Sequence, residues 1–426
     1  MKVAIIHNLY PPYAKGGAEQ VVFKTVQGLV EAGHEVVVIT LAPGKEEKPA
    51  RNASPARIAT QSVADEHNDA GGEINGNVTI YRIHPRNIFS YLDSHTRDFF
   101  SRLLWHVFDI WNKSSKKSIQ NILQQEKPDV VHTHNFMGIG FLIPRLIRKM
   151  NIPHVHTVHD VQLVEPSGII LKEKEHSFRY TGLMTQLYAS LMRSLLGSPN
   201  VVISPSQFLL QFYEKWGFFK QSNRVVLRNP VLIENTPQAK QLQPVFTFLY
   251  VGQVEVHKGI IFLVQSFCNF LKATKIPCEL HIVGTGSQMN ILTEMAQHEP
   301  GIYIHGKVDH HDLPSFFAKA DITIVPSLCY ENSPTVIFES FSYHTPVLAS
   351  NIEGIAELIK EGENGLTFIA GNEASLLQKL QWCVEHRSDV SYMGEKGRSG
   401  ILDLSREKYL EKLLALYQGV EREVKD

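Results

Sequence analysis

Short β-branched runs alternate with stretches of helical periodicity along most of the chain. Val3–His7 has the character of a buried strand, and Gly17–Ala32 places Val21, Val22, Val26, Leu29 and Val30 at helical spacing. Gly33 supplies a stop, and Glu35–Thr40 is the next strand. Strand, glycine turn, helix and strand make a βαβ unit, which implies a parallel sheet with a right-handed crossover. The strand pattern resumes at Val78–Ile83, Asp129–His132, His154–Val158 and Val201–Ser204. Between these, Ala42–Asn77 is polar and rich in Gly, Pro, Ala and Asn, and is expected to be a long mobile insertion because it offers little apolar area to bury. Around Glu234–Pro244 hydrophobicity falls and two prolines bracket polar residues, the composition of an interdomain linker. A second α/β series follows at Phe246–Val251, Glu279–Val283, Ile302–His305, Ile322–Pro326 and Pro346–Ala349. The expected architecture is α/β, with two doubly wound, Rossmann-like domains and a cleft between them. The first takes residues 1–235 and the second 236–404, and a C-terminal helix at about 405–426 is expected to pack back on the first.

Length agrees with two domains, since 426 residues exceed one ordinary core. The chain is 43% hydrophobic and 20% charged, with a formal net charge of −1. That balance gives no whole-protein attraction to nucleic acid, and none is expected as a partner. The four cysteines, Cys268, Cys278, Cys329 and Cys383, are scattered without metal or disulfide spacing; they read as buried apolar side chains in a reducing compartment. The N-terminal apolar run is too short for a signal peptide, and no segment reaches the roughly eighteen apolar residues of a spanning helix. A soluble or peripheral cytoplasmic protein is expected. Two segments leave room for peripheral contact at the inner face of a membrane: Phe99–Trp111, followed by Lys113, Lys116 and Lys117, and Tyr180–Leu196. Helical core packing explains either segment equally well.

In open parallel sheets, ligands bind beyond the carboxyl ends of strands, and the chemically suggestive motifs follow strands here. Gly16 and Gly17 precede a helix, where close backbone approach and free N–H groups suit a phosphate; a tight turn would need the same glycines. Gly252-Gln253 and Lys258-Gly259 repeat the arrangement in the second half, with a lysine suited to a diphosphate or simply to solvent. Glu331 and Glu339 flank the start of a helix opened by Pro334. A carboxylate at the first position suits sugar hydroxyls and one at the second suits a ribose, whereas either alone also reads as a surface ion pair. His7, His132, His134 and His159 lie at strand ends, but no HxxxH helix or D-x-D pair accompanies them. Hydrogen bonding to hydroxyls is the preferred role for His159, and no metal site is assigned.

The motifs in order are Pro11-Pro12-x-x-x-Gly16-Gly17-x-Glu19, Gly33-His34, Pro128-Asp-Val-Val-His132-x-His134, Thr157-x-His159-Asp160 and Ser204-Pro-Ser206. Gly252…Lys258-Gly259, Ile282-Val-Gly284-x-Gly286, Glu331-x7-Glu339, Pro346-Val and Glu357…Asn364-Gly365 complete the series. Together they resemble the retaining GT-B glycosyltransferases of family 4, the glycosyl transferases group 1, over nearly the whole chain. The resemblance implies metal-independent transfer, of hexosyltransferase type, from a UDP- or GDP-linked sugar to the hydroxyl of a glycan or lipid-linked acceptor, without a cofactor. It implies that Gly16, Gly17, Gln253, Lys258 and Gly354 stand where the donor diphosphate is held, Glu339 at the ribose, and Glu331 and His159 beside the donor sugar. Two positions depart from the pattern. Gln253 stands where many members carry arginine, and Glu353 replaces a glycine before Gly354. Arg228 is the candidate compensating charge. The departures also motivate an alternative, a nucleotide-sugar-binding pseudoenzyme or partner subunit on the same fold.

Overall fold

Side chains alternate across a buried strand, so each sheet feeds two apolar layers. Val3 and Ile5 join one cluster while Ala4 and Ile6 join another on the opposite face. The computed structural model describes residues 1–13, 16–42, 73–75, 77–231, 240, 243–309 and 311–425. Most of the expected insertion at 42–77 and of the expected linker at 234–244 therefore lies outside the described residues.

The first half runs β1 (Lys2–Ile6), α1 (Gly17–Glu31), β2 (Glu35–Leu41), β3 (Glu73–Asn75), β4 (Val78–Ile83), α2 (Phe99–Ile110), α3 (Lys113–Glu126) and β5 (Val130–Thr133). It continues through α4 (Ile143–Lys149), β6 (His154–Thr157), α5 (Phe178–Thr181), α6 (Leu183–Leu196), β7 (Val201–Ser204), α7 (Gln207–Lys215) and β8 (Asn223–Val226). Its sheet order is β3-β4-β2-β1-β5-β6-β7-β8, parallel except for the β3 edge. The end of the polar stretch thus forms an edge strand where irregular structure was expected.

The second half comprises β9 (Phe246–Val251), α8 (Ile260–Ala273), β10 (Cys278–Val283), α9 (Met289–Ala296), β11 (Ile302–Gly306), α10 (Leu313–Lys319) and β12 (Ile322–Val325). After these come α11 (Thr335–Ser342), β13 (Val347–Ser350), α12 (Glu353–Ala356), β14 (Gly365–Phe368), α13 (Glu373–Glu385), α14 (Arg387–Ile401) and α15 (Arg406–Lys425). The sheet order β11-β10-β9-β12-β13-β14 is wholly parallel. Order reverses at β1/β5 and at β9/β12, the switch points where a doubly wound sheet opens a ligand crevice. Both sets of open loops meet in one cleft.

The last helix crosses back. Tyr409, Leu410, Leu413, Tyr417 and Val420 recur at helical spacing and share a buried cluster with Val22, Val26 and Leu29 of α1. Tyr417 Oη lies 2.6 Å from His132 Nδ1, tying this helix to β5. Among the described residues no helix is long and apolar enough to cross a membrane.

Candidate active site

A cavity of about 330 Å³ occupies the cleft. From the first half it is lined by Gly16, Gly17 and His159, and from the second by Gly252, Gln253, Lys258, Ser327, Glu331 and Thr335. The N-terminus of α1 begins at Gly17, where an added Cβ would stand 3.5 Å from Thr335 at the start of α11. Two helix N-termini therefore converge on the same space, each offering unpaired N–H groups and positive potential.

Lys258 ends a short turn before α8. Gly259 follows with φ +74°, and a Cβ there would collide with the Pro326 carbonyl, so only glycine lets this turn lie against the loop after β12. The result places Lys258 Nζ 2.5 Å from Glu331 Oε1, which also accepts from Ser327 Oγ at 3.0 Å. Burial disfavours the Lys258 charge, but the adjacent Glu331 carboxylate outweighs it and holds the ammonium above its ordinary range. Gln253 is exposed at the rim, and its carbonyl accepts from Tyr250 Oη at 2.7 Å.

His159 Nε2 lies 2.9 Å from His134 Nδ1, and His7 packs edge-on against His134. Burial lowers His159 to about 4 and takes His7, His132 and His134 well below the ordinary imidazole value, with neighbouring histidines adding to these last three. The array is neutral near pH 7, able to exchange hydrogen bonds with hydroxyls but carrying no charge. Asp160 beside it is raised to about 6 by burial, against the opposing hydrogen bond from Gln162 N at 2.8 Å. A second chamber of about 170 Å³ shares His159, Lys258 and Glu331 with the first and extends to Asp160 and Gly168.

Two nominated residues stand outside these walls. The Gly354 amide is buried and donates to the Glu331 carbonyl at 3.1 Å. Glu339 sits on α11 facing α1, where its charge partly offsets the burial that lowers Lys24. Arg228 faces Glu357 at 3.9 Å rather than lining the cavity. Glu353 turns its carboxylate away to Lys172 of the first half, 2.5 Å distant.

Sequence reading missed Asn332, which bridges the halves. Its Nδ2 donates to the His159 carbonyl at 3.1 Å, and its Oδ1 accepts from Ser206 Oγ. Asn229 likewise donates to the Ser333 carbonyl at 3.4 Å. Their signal was only proximity to motifs, Asn332 directly after Glu331 and Asn229 before Pro230. Among the described residues, the side chains close enough to share a metal ion are Asp309, His311 and Asp312, all exposed beyond β11 and away from the cavity.

Paired doubly wound sheets, with their switch-point loops closing one cleft, define the GT-B class of glycosyltransferase. Residues 15–234, half the chain, match the family described as Glycosyltransferase Family 4, and residues 245–386 match that described as Glycosyl transferases group 1. The chain belongs to this glycosyltransferase family. It is 25% identical over 363 residues to an uncharacterised 42.6 kDa protein in the cps region of Klebsiella pneumoniae, covering 84% of this chain and 87% of that one. It is 23% identical over 402 residues to the putative teichuronic acid biosynthesis glycosyltransferase TuaC of Bacillus subtilis, covering 91% and 90%. The fold is similar to sucrose-phosphate synthase of Thermosynechococcus elongatus, with a TM-score of 0.71, 17% identity and 98% of each chain covered. It is also similar to Anabaena HepE in complex with UDP-glucose, with a TM-score of 0.68, 14% identity and coverage of 98% and 100%.

Proposed function

We propose that this glycosyltransferase moves a sugar from a nucleoside diphosphate to a hydroxyl acceptor, with retention at the anomeric carbon, in the assembly of a polysaccharide or related glycoconjugate. The observation that carries the reading is the Lys258–Glu331 pair, set opposite the N-terminus of α1 in a single cavity. Similarity to TuaC, whose name specifies teichuronic acid biosynthesis, and to HepE, which binds UDP-glucose, supports both product class and donor class.

In this reading the donor diphosphate lies between the α1 N-terminus and Lys258, whose fixed positive charge stabilises the leaving group. Glu331 and neutral His159 hold the sugar hydroxyls. The acceptor oxygen bonds to the anomeric carbon on the face from which the diphosphate departs, and a diphosphate oxygen takes the acceptor proton. The protein's part is alignment and charge, which Lys258 and the helix termini supply without a required metal. Free thiols at all four cysteines suit a reducing, cytoplasmic setting.

The exposed, neutral Gln253 favours a second reading, in which the cleft binds a nucleotide sugar without transferring it. A thermal-shift screen of UDP, GDP and ADP, followed by incubation with their sugars and product analysis, separates the two. A selective upward shift with one nucleotide and an α-linked product from its α-linked sugar are expected. Donor binding without transfer or hydrolysis across an acceptor panel would favour the second reading, and no shift with any nucleotide would overturn both.

A further inference from the structure

Core packing accounts for only one side of α2. Trp105 is buried, with its indole N–H donating to the Phe89 carbonyl at 2.8 Å, and Asp109 is buried with its Oδ2 accepting from Gly138 N at 2.9 Å. On the other side Leu104, Val107 and Phe108 of α2 are each more than half exposed, and Trp111 just beyond the helix is 47% exposed. Their spacing makes one continuous outward stripe. A helix seated this firmly has no structural need for apolar side chains on its solvent face.

The adjoining α5–α6 corner repeats the feature. Phe178 is 79% exposed and Met184 74%, with Leu183 and Leu187 beside them. The helices behind the two surfaces draw on one core: Ile110 of α2 belongs to the same apolar cluster as Ala189 and Met192 of α6. His106 of α2 lies close enough to Glu165 to feel its charge, and Glu165 meets Arg179 of α5 at 3.4 Å. The inner side of α6 reaches the loop beside the cleft, where Tyr188 Oη donates at 3.1 Å to the carbonyl of Gln162, two residues beyond the cavity-lining Asp160.

Charge selects the occupant. Residues 86–117 and 177–196 carry eight arginines and lysines against three aspartates, one of them the buried Asp109, in a chain whose net charge is −1. Apolar side chains surrounded by basic ones fit the headgroup boundary of an anionic bilayer. A twofold contact with a second copy would instead set two basic rims against each other.

We propose that the outward faces of α2 and α5–α6 dock the protein on an anionic lipid surface, holding the first-half side of the cleft at the membrane interface. The docking is independent of which donor is used, so it is measured without turnover. Full-length protein is floated with vesicles of phosphatidylcholine containing about 30% phosphatidylglycerol, and with phosphatidylcholine alone. Flotation is expected with the anionic vesicles only, and is expected to weaken as salt screens the basic rim. The Leu104→Ser/Phe108→Ser double variant is expected to lose about tenfold or more of the bound fraction. Lys116→Glu/Lys117→Glu provides an independent arm and should lose at least as much. Both variants should keep the wild-type melting temperature and circular dichroism, since all four positions lie outside the core. Absence of flotation with anionic vesicles, or equal flotation of wild type and both variants, would overturn the proposal. So would a concentration-dependent dimer in ultracentrifugation that Leu104→Ser/Phe108→Ser abolishes, because that result assigns the face to a second copy.

Discussion

Lys258 and Glu331 are each partly shielded from water, so neither charge is comfortable alone. The carboxylate keeps the ammonium charged against burial, and the ammonium with Ser327 orients the carboxylate. In the proposed reaction both must act in the transition state, one on the diphosphate and one on the sugar. Lys258→Ala and Glu331→Ala are each expected to lower turnover by about a hundredfold or more, the scale seen when a preorganised charge-stabilising donor is removed. Nucleotide-induced thermal shift distinguishes lost chemistry from lost fold, and near-normal turnover in either variant would sink the assignment. Sequence spacing marked both residues as candidates but could not pair them, since they lie 73 positions apart. Glu353 teaches the same lesson. It departs from the family pattern by placing a carboxylate where a glycine is usual, yet Lys172, 181 positions away, draws that carboxylate aside. Its φ of +25° is one that glycine adopts freely and glutamate rarely does.

At the scale of elements, α2 is fixed to the loop after β5 by a carboxyl in an awkward place. Asp109 is 1% exposed, its Oδ1 has no hydrogen-bond partner, and burial raises its pKa to about 7 from an ordinary 3.8, against the Gly138 N–H. Between those values the folded protein keeps a proton that the unfolded chain releases. Stability attributable to this group therefore falls as pH rises from about 4 to about 7 and is level above that. Asp109→Asn keeps an oxygen for the Gly138 N–H while removing the titration. The variant should gain stability relative to wild type by on the order of 3 kcal/mol between pH 5 and pH 8, measured by denaturant unfolding. Asp160, raised to about 6, titrates in both proteins and cancels in the difference. Parallel pH profiles would refute the account. The elements themselves were mostly legible, because runs such as Val36–Ile39 or Ile322–Val325 are buried on both faces and read as continuous apolar segments. The exceptions are explicable. β8 is an edge strand of sequence NRVV with no buried residue, and β14 opens on glycine, so neither announces itself by hydrophobicity. For α2 the sequence left membrane contact and core packing both open, because amphipathic spacing reports that a helix has an apolar face but not what covers it.

Across the whole molecule, apart from the apolar seat of α15 on α1 and the packing of Tyr330 on Phe208 and Phe212, the halves touch through a set of polar contacts at the cleft. Lys172 N donates to the Leu328 carbonyl at 2.9 Å and Tyr330 N to the Ile170 carbonyl at 2.8 Å, which joins a loop from each half. Lys172 adds its ion pair with Glu353, and Tyr330 Oη donates to Glu175 at 2.6 Å. Glu357 of the second half reaches the N-terminus of α7 in the first, where its carboxylate accepts from Gln207 N at 3.0 Å and from Phe208 N. Polar, charged contacts of this kind are those expected of a cleft that opens to admit donor and closes to exclude water. Glu357 is the best single test, because it caps a helix across the gap and lines neither of the two cleft chambers. Losing it removes a cap worth about 1–2 kcal/mol from the closed form alone. Glu357→Ala should therefore raise the donor KM by roughly five- to thirtyfold while leaving kcat at saturating donor within a factor of a few. Small-angle scattering should show a larger radius of gyration for the nucleotide-free variant and recovery towards the wild-type value when nucleotide is added. If the variant keeps both wild-type dimensions and wild-type donor affinity, the α7 cap does not hold the halves together, and closure must rest on the paired Ile170–Lys172 and Leu328–Tyr330 loops.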